Sequence, residues 1–216
     1  MHVLIINGSP RVKQYSNTDK ILACFTRGLV ENGTTCEQYE ISDKKQWDDI
    51  RKAYETNSNI LIALPLYVEC IPGLLMEFLE TLSPKNDGTK IAYILQSGFA
   101  EGIQLRCGEA YLEKLTVFLG CEYAGTLVKG DNFSIRFFEG DMRDRVTGPY
   151  TEMGREYAEN AGFMTDKCRE FTGFEILPAH MRFLLRIIQR TVARTMFTKI
   201  ARGWGCTKPL DYRPYQ

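Results

Sequence analysis

The stretch MHVLIINGSPRVKQYSNT, residues 1–18, decides the fold of this chain. Residues 3–6 (VLII) are apolar without alternation, which is typical of a strand covered on both faces in a parallel sheet. Residues 7–11 (NGSPR) then predict a turn, and residues 16–18 (SNT) are capping residues ahead of an apolar-periodic segment. The stretch therefore predicts a buried strand, a polar turn and a helix whose N-terminus points back at the end of the strand.

The predicted turn also carries groups that suit a phosphate. Free backbone N–H groups at the helix start are joined by the hydroxyls of Ser9, Ser16 and Thr18 and by the guanidinium of Arg11. The same residues could instead only cap the helix and turn the chain, so on this stretch alone both interpretations stay open. Neither G-x-x-x-x-G-K-[ST] nor G-x-G-x-x-G occurs here, which argues against a nucleoside-triphosphate P-loop and a dinucleotide fingerprint.

Strand and helix patterns alternate along the following residues. Four further strands are predicted, over residues 35–41, 59–66, 90–96 and 122–128. Helices are predicted to begin at Ser16-Asn17-Thr18, within 43–58, and over 71–82 and 107–120. The last of these places five apolar side chains on one face: Tyr111, Leu112, Leu115, Phe118 and Leu119. The alternation predicts an α/β fold, a doubly wound five-stranded parallel sheet with helices on both faces.

Two further loops follow strands of the predicted sheet, where parallel sheets bind their ligands. Residues 65–73 (PLYVECIPG) bring an aromatic ring and a restrained backbone beside the first turn, as a planar ring ligand requires. The alternative is a well-packed βα turn with Tyr67 on the surface. Residues 97–102 (SGFAEG) form a weaker signal, since S-G turns are common.

Gly8-Ser9-Pro10-Arg11 followed by Ser16-Asn17-Thr18 resembles the FMN phosphate loop of the flavodoxin-like NAD(P)H-dependent FMN reductase family, and the resemblance covers residues 1 to about 130. It implies the strand order 2-1-3-4-5, FMN as cofactor and NAD(P)H as co-substrate. The cofactor-binding residues implied are Ser9, Arg11, Ser16, Asn17 and Thr18 at the phosphate, Pro65, Leu66, Tyr67 and Val68 along the isoalloxazine, and Ser97, Gly98, Phe99 and Gly102 at the pyrimidine edge. No catalytic side chain or metal ligand is assigned.

The implied activity is that of an FMN-dependent NAD(P)H oxidoreductase. It passes hydride from nicotinamide to flavin N5 and on to an acceptor, which is a flavin, a quinone, a nitro- or azo-aromatic or a protein. The alternatives are a flavodoxin-type electron carrier and a non-catalytic flavin-binding module. Such carriers are usually strongly acidic, whereas this chain has 27 basic and 27 acidic residues. The same balance provides no net positive potential that would attract nucleic acid. A homodimer is implied as well, and Phe133, Phe137 and Phe138 are apolar residues that a monomer would partly expose.

The cysteines and the N-terminal residues bear on disulfides, metal sites and cellular location. Seven scattered cysteines and two histidines without a C-x-x-C motif suggest neither a disulfide framework nor a zinc or iron–sulfur site. Cys70 lies near the expected flavin, and we interpret it as inert packing rather than as a redox thiol. The first strand leaves no room for a signal peptide and no apolar run reaches membrane length, so we expect a cytoplasmic protein.

Residues 1–130 are expected to form the FMN-binding domain, and residues 131–216 a helical C-terminal extension packed on it. From residue 179 onward there are eight basic residues and one acidic residue, whereas the preceding residues carry seven more acidic than basic ones. Arginines at 182, 186, 190 and 194 lie beside an apolar stripe formed by Met181, Leu184, Leu185, Ile188, Val192, Met196 and Ile200. Such a helix suits an anionic membrane or a partner groove. We favour packing on the chain's own body over a membrane surface, because Phe183 and Ile187 widen the apolar face.

Overall fold

Five parallel strands form one sheet in the order β2-β1-β3-β4-β5. The strands are β1 (His2–Asn7), β2 (Thr35–Glu40), β3 (Asn59–Pro65), β4 (Lys90–Gln96) and β5 (Glu122–Lys129). Each lies within one residue of its predicted ends, and the predicted strand order is confirmed. The structure is a computed structural model that describes residues 1–215. The chain divides into two units, Met1–Glu175 and Ile176–Gln216.

Helices cover both faces of the sheet in the first unit. They are α1 (Asn17–Glu31), α2 (Trp47–Thr56), α3 (Gly73–Leu79), α4 (Arg106–Phe118), α5 (Gly140–Thr147), α6 (Pro149–Asn160) and α7 (Asp166–Thr172). Val3 and Ile5 belong to one buried cluster, while Leu4 and Ile6 belong to another. Alternate side chains of β1 thus enter two cores, as its unbroken apolar run predicts.

Helices α1 and α6 pack with their backbones almost in contact. A Cβ atom added to Gly28 of α1 would lie 1.9 Å from the carbonyl oxygen of Thr151, and one added to Gly154 of α6 would lie 2.1 Å from that of Phe25. Tyr150 and other side chains of α6 are buried in the core that also contains β1. Residues 131–175 therefore share the unit that holds the sheet.

Two helix predictions need correction. Helix α3 is shorter than the predicted 71–82, because Pro72 has a non-helical ψ of 132° and Ile71 precedes a proline, which disfavours helical backbone. At the other end the N–H groups of Thr81 and Leu82 bond to residues only three positions earlier, so the chain tightens and leaves the α-helix.

Leu112 of α4 and Leu119, directly after the helix, are buried as predicted, but Tyr111 and Phe118 are exposed, Phe118 by 79%. The buried face includes Thr116, and at about 100° per residue Tyr111 and Phe118 lie well to one side of it.

The second unit contains one continuous helical segment, formed by α8 (Ala179–Ile188), a π-helical turn (Gln189–Ala193) and α9 (Arg194–Gly203). The packing of these residues on the first unit stays a prediction. Within residues 1–215 no helix has both the length and the apolar character to cross a bilayer.

Candidate functional site

The three predicted loops lie side by side at the carboxyl ends of the strands. The N–H of Gly8 donates to the carbonyl oxygen of Ala63 at 2.7 Å, and that of Leu66 donates to Gln96 at 2.7 Å. These bonds join the end of β1 to β3 and the end of β3 to β4. In the observed strand order the switch point lies between β1 and β3, the usual position of a ligand in such sheets.

The first loop is held in a compact turn by its own serines. Ser9 donates its N–H to Asn7 Oδ1 at 3.1 Å, and its Oγ accepts from the N–H of Arg11 at 3.3 Å. Ser16 caps α1 as predicted, because its Oγ accepts from the N–H of Asp19 at 3.2 Å. Helix geometry leaves the N–H groups of the first turn, at residues 17 and 18, without intrahelical partners. The loop therefore offers donors to an anion at the N-terminus of α1.

Thr18 connects this helix start to β4, and Asn17 connects it to the residues after β5. Gln96 Nε2 donates to Thr18 Oγ1 at 3.3 Å, and Asn17 Nδ2 donates to the carbonyl oxygen of Asn132 at 2.8 Å. The second bond fixes the orientation of the Asn17 amide, since a carbonyl oxygen only accepts. Asn17 Oδ1 is buried and has no hydrogen-bond partner among residues 1–215. A buried acceptor of this kind requires a donor, which a ligand hydroxyl would supply.

Positive charge accumulates around the start of α1. Burial lowers the pKa of Lys20, the charges of Arg143, Arg136 and Arg11 lower it further, and the carboxylate of Asp19 opposes them. Mutual repulsion among these cations would be relieved by a bound anion. The sequence analysis identified only Arg11 of this group. Arg136 and Arg143 come from residues after β5, and nothing in their local pattern marks them as neighbours of the first loop.

The second loop contains a strained backbone. Tyr67 and Cys70 exchange both of their main-chain hydrogen bonds, at 2.9 and 3.2 Å, which closes a tight turn between them. Inside this turn Val68 has a φ of +60°, a conformation that β-branched residues rarely adopt. Tyr67 is 44% exposed, so its ring lies at the surface beside the first loop. Strain held in this way is frequent at ligand sites.

The third loop is tied to the residues after β5. The Oγ of Ser97 accepts from the N–H of Phe99 at 3.2 Å, and the carbonyl oxygen of Phe99 accepts from the N–H of Asp131 at 2.7 Å. A Cβ atom on Gly98 would lie only 3.2 Å from the Cβ of Phe133. The close approach of these two segments therefore favours glycine at position 98.

Gly102, like Ser97 and Phe99, bonds its main-chain N–H within the protein. Its N–H donates to the carbonyl oxygen of Phe174 at 2.9 Å, so that donor is already used within the protein. A Cβ atom on Gly102 would lie 2.7 Å from Thr172 Cγ2. Gly102 thus holds the base of the loop against the chain after α7.

Asn132, which the sequence analysis did not identify, joins the elements around the site. It is buried, its N–H donates to the carbonyl oxygen of Ser97 at 3.0 Å, and its own carbonyl oxygen accepts from Asn17. Its side-chain amide donates to Lys129 and exchanges hydrogen bonds with the Tyr150 hydroxyl at 3.0 and 3.2 Å. In sequence Asn132 follows a Gly-Asp pair, which signals only a turn.

Comparison with known proteins identifies the type of fold. No protein-family model matches the chain, and no curated protein sequence matches it. An FMN-dependent NADH-azoreductase from Bacillus anthracis, solved in complex with FMN, is similar in structure with a TM-score of 0.55 and 18% identity, over 74% of this chain and 99% of that chain. An NADPH-quinone reductase from P. pentosaceus has a TM-score of 0.51 and 16% identity, over 71% and 98%. A flavone reductase has a TM-score of 0.55 and 15% identity, over 81% and 66%.

These similarities, together with the strand order, establish the flavodoxin-like fold that the sequence predicts. At sequence identities of 15% to 18%, these similarities establish only the fold.

Proposed function

We propose that the first unit binds FMN and that the chain is an NAD(P)H-dependent oxidoreductase. The proposal rests on the N-terminus of α1. There Ser9 and Ser16 lie with Arg11 and other cationic side chains at the switch point of the sheet. Several solved structures of the same fold are FMN- or NAD(P)H-dependent reductases by name, which agrees with this choice.

The described residues fit FMN in one further respect. Asn17 Oδ1 is a buried acceptor without a donor, which a ribityl hydroxyl would provide. The backbone at Gly8 is closely packed, since a Cβ atom there would lie 2.9 Å from Leu75 Cδ2. A glycine at this position therefore lets the first loop pack closely against β3 and α3.

When bound, FMN supplies the redox chemistry, namely hydride acceptance from reduced nicotinamide and electron donation to an acceptor. Residues 9, 11 and 16–18 hold the terminal phosphate, and the turn at 65–68 positions the Tyr67 ring along the planar ring system. In the loop at 97–99 the main-chain N–H groups of Ser97 and Phe99 are already bonded within the protein, so Gly98 would present its main chain to the other edge of the ring, and Gly102 fixes the base of that loop. The acceptor is a small molecule, in the class of flavins, quinones and nitro- or azo-aromatics.

A second copy of the chain completes the acceptor pocket in this proposal. Phe133 and Phe137 lie with ring centroids 5.3 Å apart, are 37% and 43% exposed, and lie next to the Gly98 loop. A homodimer would cover these rings and bring them to the edge of the flavin site. Sedimentation of a monomer at micromolar concentration would contradict this part.

The function is tested by the visible spectrum of the purified chain and its response to reduced nicotinamides. We expect flavin absorption bands that bleach when NADH or NADPH is added without oxygen, and that return when a quinone or an azo dye is added. A flavin that stays oxidised with both nucleotides would instead assign an electron carrier or a non-catalytic flavin-binding module. Absence of flavin after incubation with FMN would contradict the proposal altogether.

A further inference from the structure

The helical segment 179–203 of the second unit keeps one apolar stripe along its whole length. At about 100° per residue, a straight helix would turn Met196 by about 120° from Leu184, and Ile200 by about 120° from Ile188. The π-helical turn at Gln189–Ala193 closes i→i+5 bonds and so inserts one extra residue, which rotates the following residues back by roughly 100°. The π-turn therefore aligns the apolar side chains of α8 with those of α9.

The charges of this segment have one sign. Residues 179–203 contain six basic side chains and no acidic one. In the first unit α1, α2, α4 and α6 each carry both acidic and basic side chains. The segment thus differs in charge from the longer helices that pack against the sheet, and it suits an anionic surface.

The second unit does not bury its own apolar stripe. No residue of α8 or α9 is buried, and Phe183, Leu184 and Val192 are exposed by 66%, 56% and 70%. Trp204, directly after α9, is 70% exposed. Phe, Leu and Trp on a helix that also carries several basic side chains are the composition of helices that lie in the membrane interface.

A groove in the same unit combines both kinds of side chain. Its volume is about 510 Å³, and its lining includes Arg190, Arg194, Phe197, Ile200, Trp204 and Leu210. Arg194 also pairs with Asp211 at 3.2 Å, which holds the chain after α9 against the helix. Guanidinium groups beside an apolar wall suit a phospholipid, whose phosphate and acyl chain need these two environments.

We propose that residues 179–204 bind the surface of an anionic phospholipid bilayer. The apolar stripe enters the boundary between headgroups and acyl chains, while the arginines reach the phosphates from the flanks of the helix. The sequence pattern alone favours the chain's own body as the occupant of this stripe. No residue of α8 or α9 is buried, which favours a lipid surface as the occupant instead. The aligned stripe and the six basic side chains suit an anionic surface.

The test is flotation of the full chain with vesicles. We expect it to float with phosphatidylcholine vesicles that contain about one third phosphatidylglycerol, and to remain behind with phosphatidylcholine alone. The variant R186Q/R190Q should bind roughly 25-fold more weakly, since each charge near such a surface is worth about fivefold in affinity. The control K45Q/K52Q removes two exposed lysines of the first unit and should bind like the parent.

A second variant and a spectroscopic signal address the apolar stripe. L184N/I188N keeps all charges and should lose flotation, while its urea unfolding curve matches that of the parent. The only two tryptophans are Trp47, which is buried, and Trp204, so a blue shift of emission on adding anionic vesicles reports the tail. The shift should be absent in W204F.

Three results would overturn the proposal. One is equal flotation with both kinds of vesicle, or none with either. Another is that the parent is dimeric and does not float, and that L184N/I188N is monomeric. This result would show that the stripe binds a second copy of the chain. The third is a loss of stability of the first unit in L184N/I188N, again without flotation of the parent, which would assign the stripe to the chain's own body.

Discussion

Asn17 Nδ2 donates to the carbonyl oxygen of Asn132 at 2.8 Å, a bond between residues 115 positions apart. Asn17 begins α1 beside the first loop, and Asn132 follows β5. Because Asn132 also binds the carbonyl oxygen of Ser97, one residue fixes the first and third loops of the candidate site relative to each other.

Replacing Asn132 by alanine should destabilise the protein and weaken flavin binding together. The substitution leaves the buried Tyr150 hydroxyl without partners, which costs about 1–3 kcal/mol in the free energy of unfolding. N132A, Y150F and the double variant form a cycle that isolates the pair, and we expect a coupling energy of at least about 0.5 kcal/mol from urea unfolding. Additive effects of the two substitutions would show that the pair does not act as a unit.

Val68→Gly should stabilise the protein, although it removes a side chain. The left-handed conformation at φ +60° costs a non-glycine residue about 1–2 kcal/mol, whereas glycine adopts it freely at an entropic cost of up to about 1 kcal/mol. The same substitution at Val30, an exposed position in α1, should be destabilising by roughly 0.5 kcal/mol. If V68G lowers the urea midpoint as much as V30G does, the turn is not strained.

Gly28→Ala should be among the most destabilising substitutions that add one methyl group. Its Cβ would meet the Thr151 main chain rather than a movable side chain, so α1 must shift. We expect this shift to lower the free energy of unfolding by about 3 kcal/mol or more. Flavin affinity should fall too, because the start of α1 carries the phosphate donors. G73A, where the added atom meets nothing within 4 Å, is the control and should leave the thermal midpoint nearly unchanged.

Local patterns predicted the strands and the capped start of α1, because buried parallel strands and helix caps are determined by residues that are consecutive in the sequence. The roles of Asn132, Arg136 and Arg143 could not be predicted in this way, since they depend on how residues after β5 fold back towards the first loop. The exposure of Phe118 was missed for a related reason. Which side of an apolar helix is buried depends on the angle at which it meets the sheet.

Stability should fall with rising pH because of Glu40. Burial raises the pKa of this carboxyl above its usual 4.5, so the folded state binds the proton more tightly than the unfolded state. The stabilisation is complete below pH 4.5 and is lost as the pH rises through the folded-state pKa. E40Q keeps an oxygen for the bond from Asn7 Nδ2 and gives up the bond that Gln38 Nε2 donates to the second Glu40 oxygen at 3.0 Å, and it should flatten this loss of stability with pH. E55Q controls for removal of one negative charge, and a matching pH profile in both variants would contradict the assignment.

The account's central claim is that the start of α1 binds the phosphate of FMN, and FMN affinity in R11A/S16A tests it most directly. Removing the guanidinium and the capping hydroxyl should weaken FMN at least about tenfold, whereas riboflavin, which lacks the phosphate, should bind both proteins alike. Ser16→Ala also costs about 1 kcal/mol of helix stability, so unfolding curves must show that the variant is folded at the assay temperature. R169A/S83A, which alters two exposed residues, should bind FMN like the parent. Unchanged FMN affinity in R11A/S16A would contradict the phosphate site.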